Sequence, residues 1–86
     1  MKINELIAIV KNKLKIKIVI QDLKIEDKSF LHKNHKGHQE GKFHLKLIIK
    51  SEELTKLSKI ESTKRVYSTL DLELKEHIHS IQILLN

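Results

Sequence analysis

The apolar residues change their period along the chain, and that switch limits which folds it can adopt. Ile3, Leu6, Ile7, Val10 and Leu14 fall at i, i+3, i+4, i+7 and i+11, one face of an amphipathic helix. Lys11, Asn12 and Lys13 lie on its other face, and a lysine-rich C-terminal end suits the helix dipole. Phe43, Leu45, Leu47 and Ile49 instead alternate with His44, Lys46, Ile48 and Lys50, the period of a strand. Leu23 and Ile25, alternating with Asp22, Lys24 and Glu26, predict a second, half-buried strand. Ser51-Glu52-Glu53 predicts a helical turn with its acids at the favourable end. A longer helix is then expected to carry Leu57, Ile60, Lys64, Tyr67, Leu70 and Leu74 near one face, with Thr63 and Val66 beside them. His79, Ile81 and Ile83, alternating with Ser80, Gln82 and Leu84, predict a final strand. The order is α–β–β–α–β, without internal repeat or domain boundary.

A chain of 86 residues buries roughly 64% of its unfolded surface, enough for one core. Residues 1–86 are therefore expected to form a single domain. Residues 28–42 are polar, contain Gly37 and Gly41, and predict a long loop. No cysteine is present, which excludes disulfides, thiolate metal sites and cysteine nucleophiles. The longest uncharged apolar run, Leu6 to Val10, is too short to span a membrane. The charged start Met1-Lys2-Ile3-Asn4-Glu5 does not read as a secretory signal, so a cytoplasmic location is expected.

Charge is uneven. Residues 1–50 hold twelve Lys against five acids, and residues 51–86 hold four Lys and one Arg against six acids. A basic half can attract an anionic partner, or can be a solvated lysine-rich face. With Arg65 the only arginine, nucleic-acid binding would rest on phosphate contacts and be salt-sensitive and weakly sequence-specific. Lys56, Lys59, Lys64 and Arg65, around the second helix, are the candidate nucleic-acid contacts. His32, His35 and His38 recur every three residues in the predicted loop, either as metal or cluster ligands or as solvated side chains. His44 and His79 fall in strand patterns and are expected to be structural. His77 is expected to be exposed at a helix end. Tyr67 and Phe43 are expected to anchor the core, since three aromatics make a poor base-stacking platform. No catalytic constellation is visible, so a non-enzymatic protein is expected.

Several segments together resemble the BolA family. Glu26-Asp27-Lys28-Ser29-Phe30-Leu31-His32 is similar to the family's strand end and histidine-containing loop. His44-Leu45-Lys46-Leu47-Ile48-Ile49-Lys50-Ser51 is similar to its next strand. Val66-Tyr67-Ser68-Thr69-Leu70 and His79-Ser80-Ile81-Gln82-Ile83 resemble its helix-end motif and last strand. The resemblance covers about residues 23–84. It implies an α+β domain with a three-stranded mixed sheet and a type II KH-like topology. It also places the first strand near Gln21–Asp27 and lets the first helix run to about Lys17.

The resemblance implies two activities. One is pairing with a monothiol glutaredoxin, often around a shared [2Fe–2S] cluster that the protein does not hold alone. The other is DNA binding in transcriptional control of stress response and cell shape. By the family pattern His32 stands at a loop ligand position. Thr63 stands where an Arg-His-Arg run would supply a helix ligand, and a hydroxyl is a poor ligand for cluster iron. Lys56 stands where many members have glycine in the turn before the long helix. A glutaredoxin-binding adaptor, monomeric when alone, is the leading expectation. A DNA-binding regulator and a scaffold without cluster chemistry are the alternatives.

Overall fold

The computed structural model describes residues 1–29 and 42–86. The elements are α1 (Ile3–Lys17), β1 (Asp22–Asp27), β2 (Phe43–Lys50), α2 (Glu52–Thr55), α3 (Lys59–Thr69), α4 (Asp71–Glu76) and β3 (Ile78–Leu85). The strands form one sheet in the order β1-β2-β3. β1 runs antiparallel to β2 and β3 parallel to it, so the sheet is mixed, as expected. A parallel pair needs a crossover, and α2 to α4 provide it. The expected loop falls mostly on residues 30–41, which lie outside the described residues.

Register explains the core. Leu23 pairs with Ile49 and Ile25 with Leu47 across β1 and β2. Leu45 and Leu47 pair with Ile81 and Ile83 across β2 and β3. These residues share one face, and Leu6, Val10 and Leu14 of α1 join the same buried cluster with Val66 and Leu70 of the crossover. Lys24, Lys46 and Gln82 fall on the other face. The helical stripe of α1 is thus the buried one. Ile16, outside that stripe, is 78% exposed.

α1 ends at Ile18, whose N–H donates to the Leu14 carbonyl while its side chain is buried. The turn into β1 is tied to the turn after β2. Ser51 Oγ donates to the Val19 carbonyl at 2.7 Å and accepts from Leu54 N at 3.1 Å. Gln21 N donates to the Lys50 carbonyl, and Gln21 Oε1 accepts from Glu52 N. Ser51 therefore caps α2 and clasps two connections at once.

The expected longer helix is corrected in both continuity and phase. It is two helices, with Leu70 between them at φ −104° and ψ 22°. Leu57 precedes α3, whose N-cap is Ser58. The buried face runs through Ser62, Val66, Leu70 and Glu73. Ile60 is 68% exposed and Tyr67 is 40% exposed, so Tyr67 is not a core anchor. Its hydroxyl instead donates to the Ile81 carbonyl at 3.4 Å. Phe43 is half-buried and packs against the core, as expected. His77 is half-buried as the C-cap of α4, not an exposed helix end. Among the described residues no helix is long and apolar enough to cross a membrane.

Candidate functional site

The β2–β3 junction holds an irregularity that the strand patterns do not reveal. Phe43 pairs with Ile78 and His44 with Ser80, so His79 is an extra residue in β3. Such a bulge re-aims a side chain out of the strict alternation. His79 is exposed, and its ring lies beside that of His44, with centroids 4.8 Å apart and planes tilted by 53°.

His44 is held from several directions. It is 6% exposed although it sits in the polar phase of β2. Its Nδ1 lies 2.6 Å from Ser80 Oγ. Its backbone N–H donates to Ser29 Oγ at 3.0 Å, and its carbonyl accepts from Lys28 N at 2.7 Å. Ser29 N in turn donates to Asp27 Oδ1 at 2.9 Å. The segment that leaves β1 is thereby pinned to the strand that carries the histidine pair. His32, three positions beyond Ser29, lies outside the described residues with His35 and His38.

Imidazole suits zinc, copper, nickel and iron, including cluster iron. A fixed, buried ring beside an exposed one orients the exposed ring while leaving it reachable from outside. Among the described residues no three His, Asp or Glu side chains are grouped to hold a metal ion. Of the two rings, that of His79 is the one an outside group can reach. The ring contact between His44 and His79 joins two residues expected to be structural in separate strands.

The other candidates lie elsewhere. Thr63 is half-buried and lines a cavity of about 280 Å³ with Lys59, Ser62, Ile83, Leu84 and Leu85, at the opposite end of β3 from His79. Lys64 and Arg65 line a shallow hollow with Leu57, Glu61 and Ser68. Arg65 Nη1 lies 3.8 Å from Glu53 Oε2. Lys56 is exposed at the C-cap of α2. Lys59 thus lines a different surface from Lys64 and Arg65, and acids stand beside Lys64 and Arg65.

Two ionic features went unread in the sequence. Glu73 of α4 is 4% exposed, and its Oε2 accepts from Lys13 Nζ of α1 at 2.6 Å. Its Oε1 has no hydrogen-bond partner among the described residues. On β1, Glu26 lies between Lys28 at 3.4 Å and Lys24 at 3.6 Å. Desolvation pushes the Glu26 carboxyl up, but Lys28 and then Lys24 outweigh it and hold it below its ordinary value of 4.5.

Comparison with known proteins agrees with this architecture. The BolA domain of SufE1 from Arabidopsis thaliana superposes with a TM-score of 0.77 at 26% identity, covering 92% of this chain and 87% of that one. BolA1 from Arabidopsis thaliana gives the same TM-score, identity and coverages. BolA1 from Mus musculus superposes with a TM-score of 0.72 at 19% identity, covering 90% of this chain and 60% of that one, a likeness of fold. No curated protein matches the sequence. The family model described as BolA-like protein matches residues 14–86, and on that match and this fold the chain belongs to the BolA-like family.

Proposed function

We propose that the protein is a non-enzymatic adaptor that binds a monothiol glutaredoxin and presents His79 to a [2Fe–2S] cluster shared with it. The observation that carries this reading is the exposed His79 ring packed beside the buried His44 at the β3 bulge. The cluster is cargo passing between partners. Its remaining ligands come from the glutaredoxin side and from the segment containing His32. The glutaredoxin itself enters through the family resemblance, since BolA-like proteins are associated with that pairing. An exposed imidazole is a better donor to cluster iron than the half-buried hydroxyl of Thr63. The ligand expected from the helix is in this reading supplied by the strand.

The test is to mix the chain with a cluster-loaded monothiol glutaredoxin and record visible circular dichroism and amide shifts. The visible spectrum should change with the natural chain, fail to change with His79→Ala, and change normally with Thr63→Ala. His32→Ala should weaken the change. If neither the spectrum nor any amide of the natural chain moves, the proposal is wrong. The nucleic-acid reading draws less support, because Lys59 stands at the β3 edge while Lys64 and Arg65 share another surface with Glu61 and Glu53.

A further inference from the structure

β3 is an outer strand of the sheet, and among the described residues its outward edge is covered at one point and open at another. Asn86 N donates to the Ile49 carbonyl. Residues two apart on a strand aim their backbone groups to the same side. Leu84 and Gln82 therefore face β2, while Ile81, Ile83 and Leu85 face outward. The Tyr67 hydroxyl on the Ile81 carbonyl agrees with that phase and covers the edge there. Among the described residues, no side chain hydrogen-bonds the outward groups of Ile83 and Leu85. Beside them lies the cavity lined by Lys59, Ser62, Thr63, Ile83, Leu84 and Leu85, with Lys59 its one charged lining residue among the described residues.

We infer that this edge binds an extended, acid-bearing peptide segment of a partner protein, which adds a strand along Ile83–Leu85 and sets a carboxylate against Lys59. Unpaired main-chain groups on a strand edge are a template for strand addition, and a neighbouring pocket supplies specificity. β3 carries no Lys, Arg, Asp or Glu that would repel an incoming strand. The β1 edge differs, being guarded by Lys24, Glu26 and Lys28. The charge of the pocket selects an acid. A second copy fits poorly, because it would bring another chain of net charge +6 and another Lys59 to a short open seam. Nucleic acid fits poorly too, since among the described residues no aromatic side chain lines the cavity to stack on a base. This surface is separate from the histidine pair at the other end of β3, and neither reading depends on the other.

The experiment titrates the isotopically labelled full chain with a short acetylated and amidated peptide of alternating valine and threonine carrying one central aspartate. A second peptide has lysine in place of the aspartate. Amide shifts should concentrate at Ile83, Leu84, Leu85 and Lys59. The lysine peptide should bind up to about fivefold more weakly, the scale of one exposed ion pair. Lys59→Glu should reverse that preference and Lys59→Gln abolish it, with unchanged β2 amides reporting an intact fold. The inference is overturned if millimolar peptide leaves Ile83 and Leu85 unmoved, or if both peptides bind equally. It is also overturned if sedimentation shows a dimer through this edge, or if a single-stranded oligonucleotide moves these amides and the peptide does not.

Discussion

Glu73 places a carboxylate inside the fold, with one oxygen on Lys13 and the other without a partner among the described residues. Side-chain exposure is 39% for Lys13 and 5% for Glu73, so solvent screens only one partner. Removing the ammonium leaves a buried, uncompensated acid. Lys13→Met should therefore destabilise the fold by about 1–3 kcal/mol, read from urea midpoints. The double variant Lys13→Met with Glu73→Leu should recover most of that loss, because two apolar groups need no partner. Glu26 gives a pH signature of opposite exposure. Its carboxyl is held low by Lys28 and Lys24, so the stabilisation is present above 4.5 and disappears as pH falls through the lowered folded-state value. A carboxyl NMR titration should place its midpoint below 4.5. Lys28→Ala or added salt should move it upward. The histidine pair shows why single residues were hard to read. His44 and His79 belong to different strands, and a bulge, not the alternation, puts their rings together. Nothing local in either strand pattern announces that contact.

The helices show where pattern reading held and where it slipped. α1 was legible because five apolar positions share one uninterrupted phase and the helix ends on a buried Ile18. β2 was legible for the same reason at period two. The crossover was harder because Leu57 and Ile60 suggest a stripe that starts before the real helix does. Ser58 caps α3 through Glu61 N and resets the phase, and Leu70 resets it again. What decides burial there is the common core, which includes Val66 and Leu70 and leaves Ile60 in solvent. The caps differ in what they hold. Ser58 Oγ accepts one bond at an exposed turn, while Ser51 is 1% exposed and makes two bonds, one of them to Val19. Ser58→Ala should cost about 0.5–1 kcal/mol. Ser51→Ala should cost about 2–3 kcal/mol, since it leaves the buried Leu54 N–H without its acceptor and also removes the donor to the Val19 carbonyl. Chemical denaturation of the two variants checks the order; an equal or reversed cost would mean that Ser51 is only a cap.

At the scale of the whole molecule, a three-stranded sheet with one central strand has an uneven distribution of protection. β2 is paired on both sides, and its Leu45, Leu47 and Ile49 side chains are at most 2% exposed. Its amides can exchange only when the sheet comes apart, so their protection should equal the global stability. β3 is paired on one side, and its amides must divide by phase. Ser80, Gln82 and Leu84 face β2, whereas Ile81, Ile83 and Leu85 face outward. Native-state hydrogen exchange should show this as an alternation along β3, with the outward amides at least about tenfold faster than their neighbours. Ile81 stands beside the Tyr67 hydroxyl on its own carbonyl, so it should be the slowest of the three outward amides. Tyr67→Phe should bring it level with Ile83 and Leu85 while leaving β2 unchanged. Uniform protection along β3 would mean that the edge is already occupied in solution, and the alternation would then return only on dilution if the occupant is a second copy of the chain.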